Sequence, residues 1–531
     1  MGTKLQRKHK MTILRLRDNR FGDKGLQFKK HPEATQETAT DTNFVSVASG
    51  DGDIGSQQLN PAQKELIARF GTMTLGDLSS LSNGALVDLS RSHLEEYNQD
   101  RGKKNLRFVE YHENNAGFRL DTSNLMGALR FRDPKSGEAV QVEILSRFDS
   151  GSNNYFLNYL LSKALNVAVG TETVVAQNSS VLDLLLDVVF VKRFGDAARN
   201  GLLRQYRTYR NNDWNFKGRL DVSRHIRENV PLPHGIAYVK REIDLDVSVN
   251  RMLLLASQVV QRRRPDLFDN NEDATDALRI LRTEIADPGD IRTVLSCRDC
   301  RETISHPFYR ETWEPLRQIA RMILEEEKWQ IFQENAEEEV SGVVFDGAWL
   351  WEEYLATVLA SCGYSHCAKG RSEDNKFEAL KNEYSNKLCA PMYPDFVCED
   401  GEGRYIALAD AKYKRFLQRD DRLQMIAYSF IYDVKVVSII YPPEDVNCEG
   451  VNNSIDEEFT IDDSNNDEQG YRGWFNIRSA SSQKTDKTTD KYLRVISFGK
   501  IMIRNSYADF YRAMQNRECQ LQRMIKIMGA H

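Results

Sequence analysis

The sequence predicts a multidomain α/β protein with an α+β N-terminal domain, a helical middle region and a compact C-terminal α/β domain. Three observations carry this reading. A chain of 531 residues exceeds one ordinary core, since domains settle near about 100–200 residues. Short apolar segments separated by turns give way near residue 200 to helical periodicity, and then to helix, strands, helix and strand in quick order. The composition, 40% hydrophobic and 28% charged, is that of a globular protein, and no run approaches the roughly 18 apolar residues of a membrane span.

Residues 1–30 hold ten Lys or Arg against Asp18 and Asp23, and residues 31–60 are rich in Thr, Ser, Gly, Asp and Gln. This predicts a flexible basic and polar extension over 1–60, a solvated tail whose start can also touch nucleic acid. Over 61–200, the segments Gly127–Pro134 and Val140–Leu145 read as hairpin strands of an α+β domain. The apolar run Val181–Val191 is a buried strand or helix. Over 201–338 the period turns helical: Met252, Leu253, Leu255 and Ala256 share one stripe, and Leu316, Ile319, Ala320 and Ile323 another. Tyr206 and Tyr209 are read as core or interdomain aromatics. Arg262–Arg264 either offset a negative helix terminus or meet phosphate.

Residues 339–531 form the last domain. Asp346 is placed to cap a helix that Gly363 ends, with Leu350, Trp351, Tyr354, Leu355, Val358 and Leu359 as its apolar stripe. Asp400-Gly401 marks a hairpin. Asp421 opens a second helix, and Val434–Tyr441 is a buried strand stopped by Pro442-Pro443. Residues 444–470 contain ten Asp or Glu and no Lys or Arg, which predicts an acidic surface insertion over about 444–490 before a closing strand at Tyr492–Phe498. The chain ends on an amphipathic helix with Phe510, Met514, Leu521, Met524, Ile525 and Met528 along one side. Its Met and Ile stripe is read as packing onto the domain core, and its Arg512, Arg517, Arg523 and Lys526 are able to line DNA.

The chemistry concentrates at the hairpin. Asp410 and Lys412 are two apart on a strand, so both side chains leave one face. Asp395 joins them if the hairpin loop holds an even number of residues, or if a bulge restores the phase of an odd one. Two such carboxylates, with the carbonyl between Asp410 and Lys412, make a hard-oxygen site suited to Mg²⁺ or Mn²⁺. Such an ion activates water and offsets charge on a phosphodiester, and Lys412 can orient the water or stabilise the transition state. Glu352 and Glu353 flank the stripe of the preceding helix, and Glu352 is the better placed to reach the metal. Gln424 and Tyr428 share a helix face, where Gln424 can hold water or phosphate.

Other chemistry is poorly supported. The net charge of -6 argues against coating of nucleic acid but not against one basic groove. Cys297 and Cys300 have half a zinc spacing, with Cys362, His366, Cys367, Cys389 and Cys398 far downstream, so free thiols are the simpler reading. His112-Glu113 lacks the second histidine of a metalloprotease helix, and no Gly-x-Ser-x-Gly is present. The N-terminus has no apolar signal region and the eight cysteines show no disulfide framework, which points to the cytoplasm.

The order of helix with Glu352, Pro394-Asp395, Asp410-Ala-Lys412, helix with Gln424 and strand resembles the PD-(D/E)xK nuclease superfamily. More narrowly, Trp351–Leu355, Asp410–Lys414, Asp421–Gln424 with Tyr428, and Tyr441-Pro442 resemble the McrC family, the nuclease subunits of McrBC modified-cytosine restriction systems. Gly218–Asp221, Asp246–Arg251 and Tyr155–Leu165 are similar to segments of that family too. The resemblance implies a restriction-endonuclease-like C-terminal domain. It also implies metal binding by Asp395, Asp410 and Glu352, double-stranded DNA as substrate, and a partner ring GTPase of McrB-like AAA+ type that the N-terminal domain (61–200) docks and stimulates. The sequence contains no Gly-x4-Gly-Lys-Ser/Thr phosphate loop, so any nucleotide-driven step belongs to another chain. Two rivals are an adaptor that mainly activates a ring NTPase, and a stand-alone repair nuclease.

Overall fold

The computed structural model describes residues 12–21, 26–30, 44–47, 58–82, 85–90, 106–115, 117–133, 138–149, 154–167, 181–232, 234–269, 271–332, 340–367, 377–381, 388–414, 418–442, 471–477, 491–498 and 507–526. The protein is mixed α/β, and its chain divides into two compact units: Met1–Leu185 with Glu337–His531, and Leu186–Ala336.

The first unit begins with β1 (Thr12–Arg17), β2 (Leu26–Lys30), β3 (Phe44–Val47), β4 (Gln58–Leu59), α1 (Pro61–Gly71) and α2 (Leu75–Leu81). There follow β5 (Leu86–Asp88), β6 (Val109–Asn114), β7 (Gly117–Thr122), β8 (Leu125–Arg132), β9 (Ala139–Leu145) and α3 (Tyr155–Ala164). These strands make two five-stranded sheets, β4-β3-β2-β7-β6 and β1-β9-β8-β13-β5, the latter completed by β13 (Val340–Asp346). The hairpin of β8 and β9 forms with Gly127 opposite Ile144. Leu14, Leu16, Phe28, Phe70, Leu129, Phe131 and Val142 lie in one shared core.

The basic start of the chain is therefore not simply a solvated tail. β1 runs parallel to β9, Leu14 and Leu16 are buried, and the intervening Arg15 binds Glu143 at 3.0 Å. Alternating Leu and Arg is an amphipathic strand pattern, but its partner lies more than a hundred residues downstream, so local composition read as tail. β13 returns late in the sequence to lie between β8 and β5. Gly127 makes the close approach possible: its φ is +127° and a Cβ there would sit 2.1 Å from the Val343 carbonyl oxygen, a distance only glycine tolerates.

In the second unit, α4 (Val181–Arg199) enters from the first. β10 (Gln205–Asp213), β11 (Arg219–Leu220), α5 (Val222–Asn229) and β12 (Ile236–Asp244) precede α6 (Ser248–Arg263). A 3₁₀ turn (Pro265–Phe268), α7 (Glu272–Glu284), α8 (Ile291–Ser296), α9 (Arg298–Arg301) and α10 (Pro307–Phe332) complete it. Both predicted helical stripes are buried. The region is not wholly helical, because β10, β12 and β11 form a sheet. Most of β10 is exposed, so no apolar period announced it. Tyr206 is accordingly an exposed aromatic at 62% rather than a core one, while half-buried Tyr209 donates its hydroxyl to Asp244. Arg262–Arg264 pair with Glu327 and Asp187, ties within the second unit.

The first unit resumes with α11 (Gly347–Ala360), β14 (Tyr364–His366), β15 (Phe377–Lys381), β16 (Leu388–Met392), β17 (Phe396–Glu399) and β18 (Tyr405–Ala411). α12 (Arg419–Ile431), β19 (Val436–Tyr441), β20 (Tyr471–Asn476), β21 (Tyr492–Ser497) and α13 (Tyr507–Lys526) follow. A six-stranded sheet runs β14-β17-β18-β19-β21-β20, parallel across β18, β19 and β21 and antiparallel at both edges. Strand β20 falls inside the segment expected as an acidic insertion. The acidic run itself lies outside the described residues. Phe510, Met514, Leu521 and Ile525 of α13 are buried, whereas Arg512 and Arg523 are exposed. Among the described residues no helix is long and apolar enough to cross a membrane.

Candidate active site

The hairpin between β17 and β18 sets the site by its register. Phe396 pairs with Ala409, Val397 with Leu408 and Cys398 with Ala407, but Glu399 pairs with Tyr405. The odd loop of residues 400–404 would put Asp395 on the wrong face. The register shift at Cys398/Glu399, with Ile406 as the extra residue, restores the phase. Asp395 therefore lies across from Asp410, on the face of Val397 and Leu408 that also packs Met425 and Tyr428 of α12. Asp395 Oδ2 accepts from the Ala411 N–H at 2.7 Å.

Asp410 is 1% exposed and its Oδ2 lies 2.5 Å from Lys412 Nζ. Lys412 Nζ also donates to Gln424 Oε1 at 3.1 Å; Gln424 Nε2 donates to Tyr428 Oη at 3.0 Å, and Tyr428 donates onward to the Tyr393 carbonyl at 2.9 Å. One turn of helix thus orients the ammonium. Asp421 closes the N-terminus of α12 in a capping box with Gln418 and holds Lys414 at 2.8 Å. Asp346 caps α11 through the Ala348 N–H, and the Ile440 carbonyl accepts both the Lys412 N–H (3.0 Å) and Trp351 Nε1 (3.3 Å). The helix that carries Glu352 is thereby tied to the backbone of Lys412.

The electrostatics are those of crowded anions. Burial, then the Asp410 and Glu352 carboxylates, hold Asp395 well above the usual carboxylate range, against the pull of Lys412. Asp410 is raised by burial and by Glu352 and Asp421, with Lys412 opposing. Burial disfavours the Lys412 charge, but Asp410 and Asp395 outweigh it and its pKa rises. A buried site with more carboxylate than ammonium binds cations, because a positive charge there replaces repulsion with attraction.

Among the described residues no three Asp, Glu, His or Cys side chains converge as a metal cage. Cys297, Cys300, Cys362, Cys367, Cys398 and Cys519 are free thiols. A Mg²⁺ ion keeps several waters and needs one or two carboxylates. Asp395 and Asp410 are the carboxylates that would serve it, and the buried Oδ2 of Asp410 already faces the Lys412 ammonium. Glu352 contributes its field. The structure thus gathers Asp395, Asp410, Lys412 and Gln424, with Glu352 close enough to act on both aspartates. Sequence reasoning missed Tyr413 and Arg147, whose contact spans 266 positions and leaves no local signal.

The family described as McrBC 5-methylcytosine restriction system component matches residues 120–442. No curated protein matches. Two solved structures from Thermococcus gammatolerans match at low identity. One, a refined half-complex of a tetradecameric assembly of McrB AAA+ hexamers with bound McrC, is 13% identical, covering 96% of this chain and 100% of its own, with a TM-score of 0.42. The other, a cryo-EM structure of the McrBC complex, is 14% identical over 66% and 88%, with a TM-score of 0.30.

Proposed function

Since the chain belongs to the McrBC 5-methylcytosine restriction system component family, we propose that it is the McrC-like nuclease subunit, a Mg²⁺-dependent endodeoxyribonuclease with a PD-(D/E)xK domain. The observation that carries this is the facing pair Asp395 and Asp410 with the Lys412 ammonium 2.5 Å from Asp410. Asp395 and Asp410 hold the ion, with Mn²⁺ an acceptable substitute, and Glu352 adds negative potential beside them. When bound, the ion lowers the pKa of a water and offsets charge developing on the phosphodiester.

The chain's own residues do the positioning. Lys412 Nζ carries three donors; Asp410 and Gln424 engage it on two sides, and the third is available to a phosphate oxygen or the attacking water. Gln424 keeps that direction because Tyr428 and the Tyr393 carbonyl anchor its amide. Double-stranded DNA is the substrate, the cytoplasm the compartment, and a McrB-like AAA+ GTPase ring the partner that stimulates cutting. The test is cleavage of modified-cytosine DNA by the full chain with its motor partner and Mg²⁺. Asp410→Asn is expected to lose it while partner binding persists. Retained cleavage would sink the reading.

A second reading, an adaptor that chiefly activates the ring, is favoured by one feature of the second unit. Large apolar side chains stand exposed there, among them Tyr206, Trp214, Ile226, Val230, Leu232 and Ile243, with Trp214 at 67% and Leu232 at 69%. Tyr206 and Ile243 face each other across β10 and β12, and exposed apolar side chains grouped in this way mark contact surfaces. Full-length Trp214→Ala with Leu232→Ala separates the readings: an adaptor loses NTPase stimulation with the pair, while Asp410→Asn leaves stimulation intact. Robust cutting by the purified chain without nucleotide would instead favour a self-sufficient repair nuclease.

A further inference from the structure

We propose that Arg147, far from the acidic site in sequence, is a positioning residue for Lys412, acting through Tyr413; this rests on the nuclease reading above. Strand β18 ends at Ala411, so Lys412 and Tyr413 lie beyond the sheet ladder. Their backbone is held by three bonds: Lys412 N–H to the Ile440 carbonyl at 3.0 Å, Lys414 N–H to the Lys412 carbonyl at 2.9 Å, and Arg147 Nη2 to the Tyr413 carbonyl at 2.5 Å. The third comes from the turn that follows β9, in the first sheet.

The grip is two-sided. The Arg147 guanidinium lies 4.8 Å from the centroid of the Tyr413 ring, and the Tyr413 hydroxyl meets Ser146 Oγ at 2.9 Å. The Phe148 ring packs edge-on against Tyr413 at 4.9 Å. Three successive residues of one turn therefore hold the carbonyl, the ring and the hydroxyl of a single tyrosine. Arg147 is itself set by Asp18, which accepts its backbone N–H at 2.6 Å and faces its guanidinium at 3.6 Å. All of these groups are buried.

Such a clamp exceeds what packing an isolated aromatic needs. A planar guanidinium can donate to a carbonyl and stack on a ring at once, which lysine cannot. Because Tyr413 is the next residue, a shift of its backbone moves the Lys412 Cα and with it the ammonium relative to Asp410 and Gln424. A misplacement of about 1 Å at such a group can cost about a hundredfold in rate. Arg147 holds Tyr413 and is held by Asp18, so its effect on chemistry runs through the neighbouring Lys412.

The test uses the full chain and reads Lys412 directly. Reductive methylation with formaldehyde and a borane, followed by peptide mass spectrometry, reports how far the Lys412 amine is held. Arg147→Ala is expected to raise its labelling rate at least about tenfold over wild type, and Arg147→Lys by a smaller factor, while lysines in the second unit stay unchanged. In cleavage with the motor partner, Arg147→Ala lowers kcat about tenfold or more with the KM for DNA within about twofold. If Arg147→Ala does not fold, Arg147→Lys decides alone. Labelling of Lys412 at the wild-type rate in the folded variants overturns the proposal. Absence of cleavage by wild type would instead overturn the nuclease reading, and the labelling would still judge the positioning role.

Discussion

Replacing Asp395 by Asn should stabilise the protein and inactivate it together. Asparagine keeps an oxygen for the Ala411 N–H, which Asp395 now binds at 2.7 Å, but removes one of the crowded charges. Facing side chains on an antiparallel pair lie about 5 Å apart, and two unit charges at that separation repel by roughly 3 kcal/mol at an effective dielectric of about 20. Lys412 compensates part of this, so the expected gain is about 1–2 kcal/mol, or roughly 1–3 °C in Tm for a unit of this size. The assay is thermal unfolding in chelator, beside cleavage with Mg²⁺ and the motor partner. Because Asp395 is held above its ordinary value in the fold, its ionisation penalises the native state as pH rises. The stability gap between variant and wild type should therefore close on acidification toward the ordinary carboxylate range. Cleavage should fall by at least about a hundredfold, as for loss of one electrostatic contact in a transition state. A lower Tm in chelator, or cleavage within tenfold of wild type, would refute the reasoning.

Lys412→Met leaves two buried carboxylates without their ammonium and should cost about 3–5 kcal/mol in chelator; millimolar Mg²⁺ should recover part of that in a melting experiment, and unfolding indifferent to Mg²⁺ would count against ion binding here. Gly347→Ala should cost about 1–3 kcal/mol in urea unfolding, because its Cβ would lie 2.7 Å from Tyr413 Cε1. Asp18 is raised to about 6 by burial, against the pull of Arg147, so its charge weighs on the fold increasingly from the ordinary carboxylate value up through pH 6. The stability of Asp18→Asn relative to wild type should improve over that window, by at most about 3 kcal/mol, and a gap that shrinks with rising pH would contradict the assignment.

The acidic face was legible in the sequence because it needs only strand parity, and what the sequence left open was the loop. Residues 400–404 make an odd loop, and whether a bulge follows depends on how Tyr405 and Ile406 settle against neighbours. Gln424 and Tyr428 were readable as one helix face, and their hydrogen bond follows from that spacing. The strands β1, β10 and β12 were not readable. β1 is specified by β9, over a hundred residues later, and β10 offers solvent both faces. Periodicity detects burial, so strands with little burial or distant partners escape it. The Arg147 contact escaped for the same reason, as chain separation hides any contact that topology alone creates.

β13 shows why residue 339 is a boundary in composition but not in folding. Its edges pair with β8 and β5, and its last residue, Asp346, caps the helix that carries Glu352 while its own N–H is held by Ser90 Oγ at 2.9 Å. A fragment of residues 339–531 would keep the six-stranded sheet yet strip both edges from β13, all but one of whose residues are buried. Unpaired apolar edges invite association between copies, and the start of α11 would lose its anchor. Such a fragment should be poorly soluble and, where recovered, should cut DNA far less than the full chain at equal Mg²⁺. A soluble fragment with full activity would show that the first sheet plays no part in holding Glu352 and Lys412, and would also undercut the role given to Arg147.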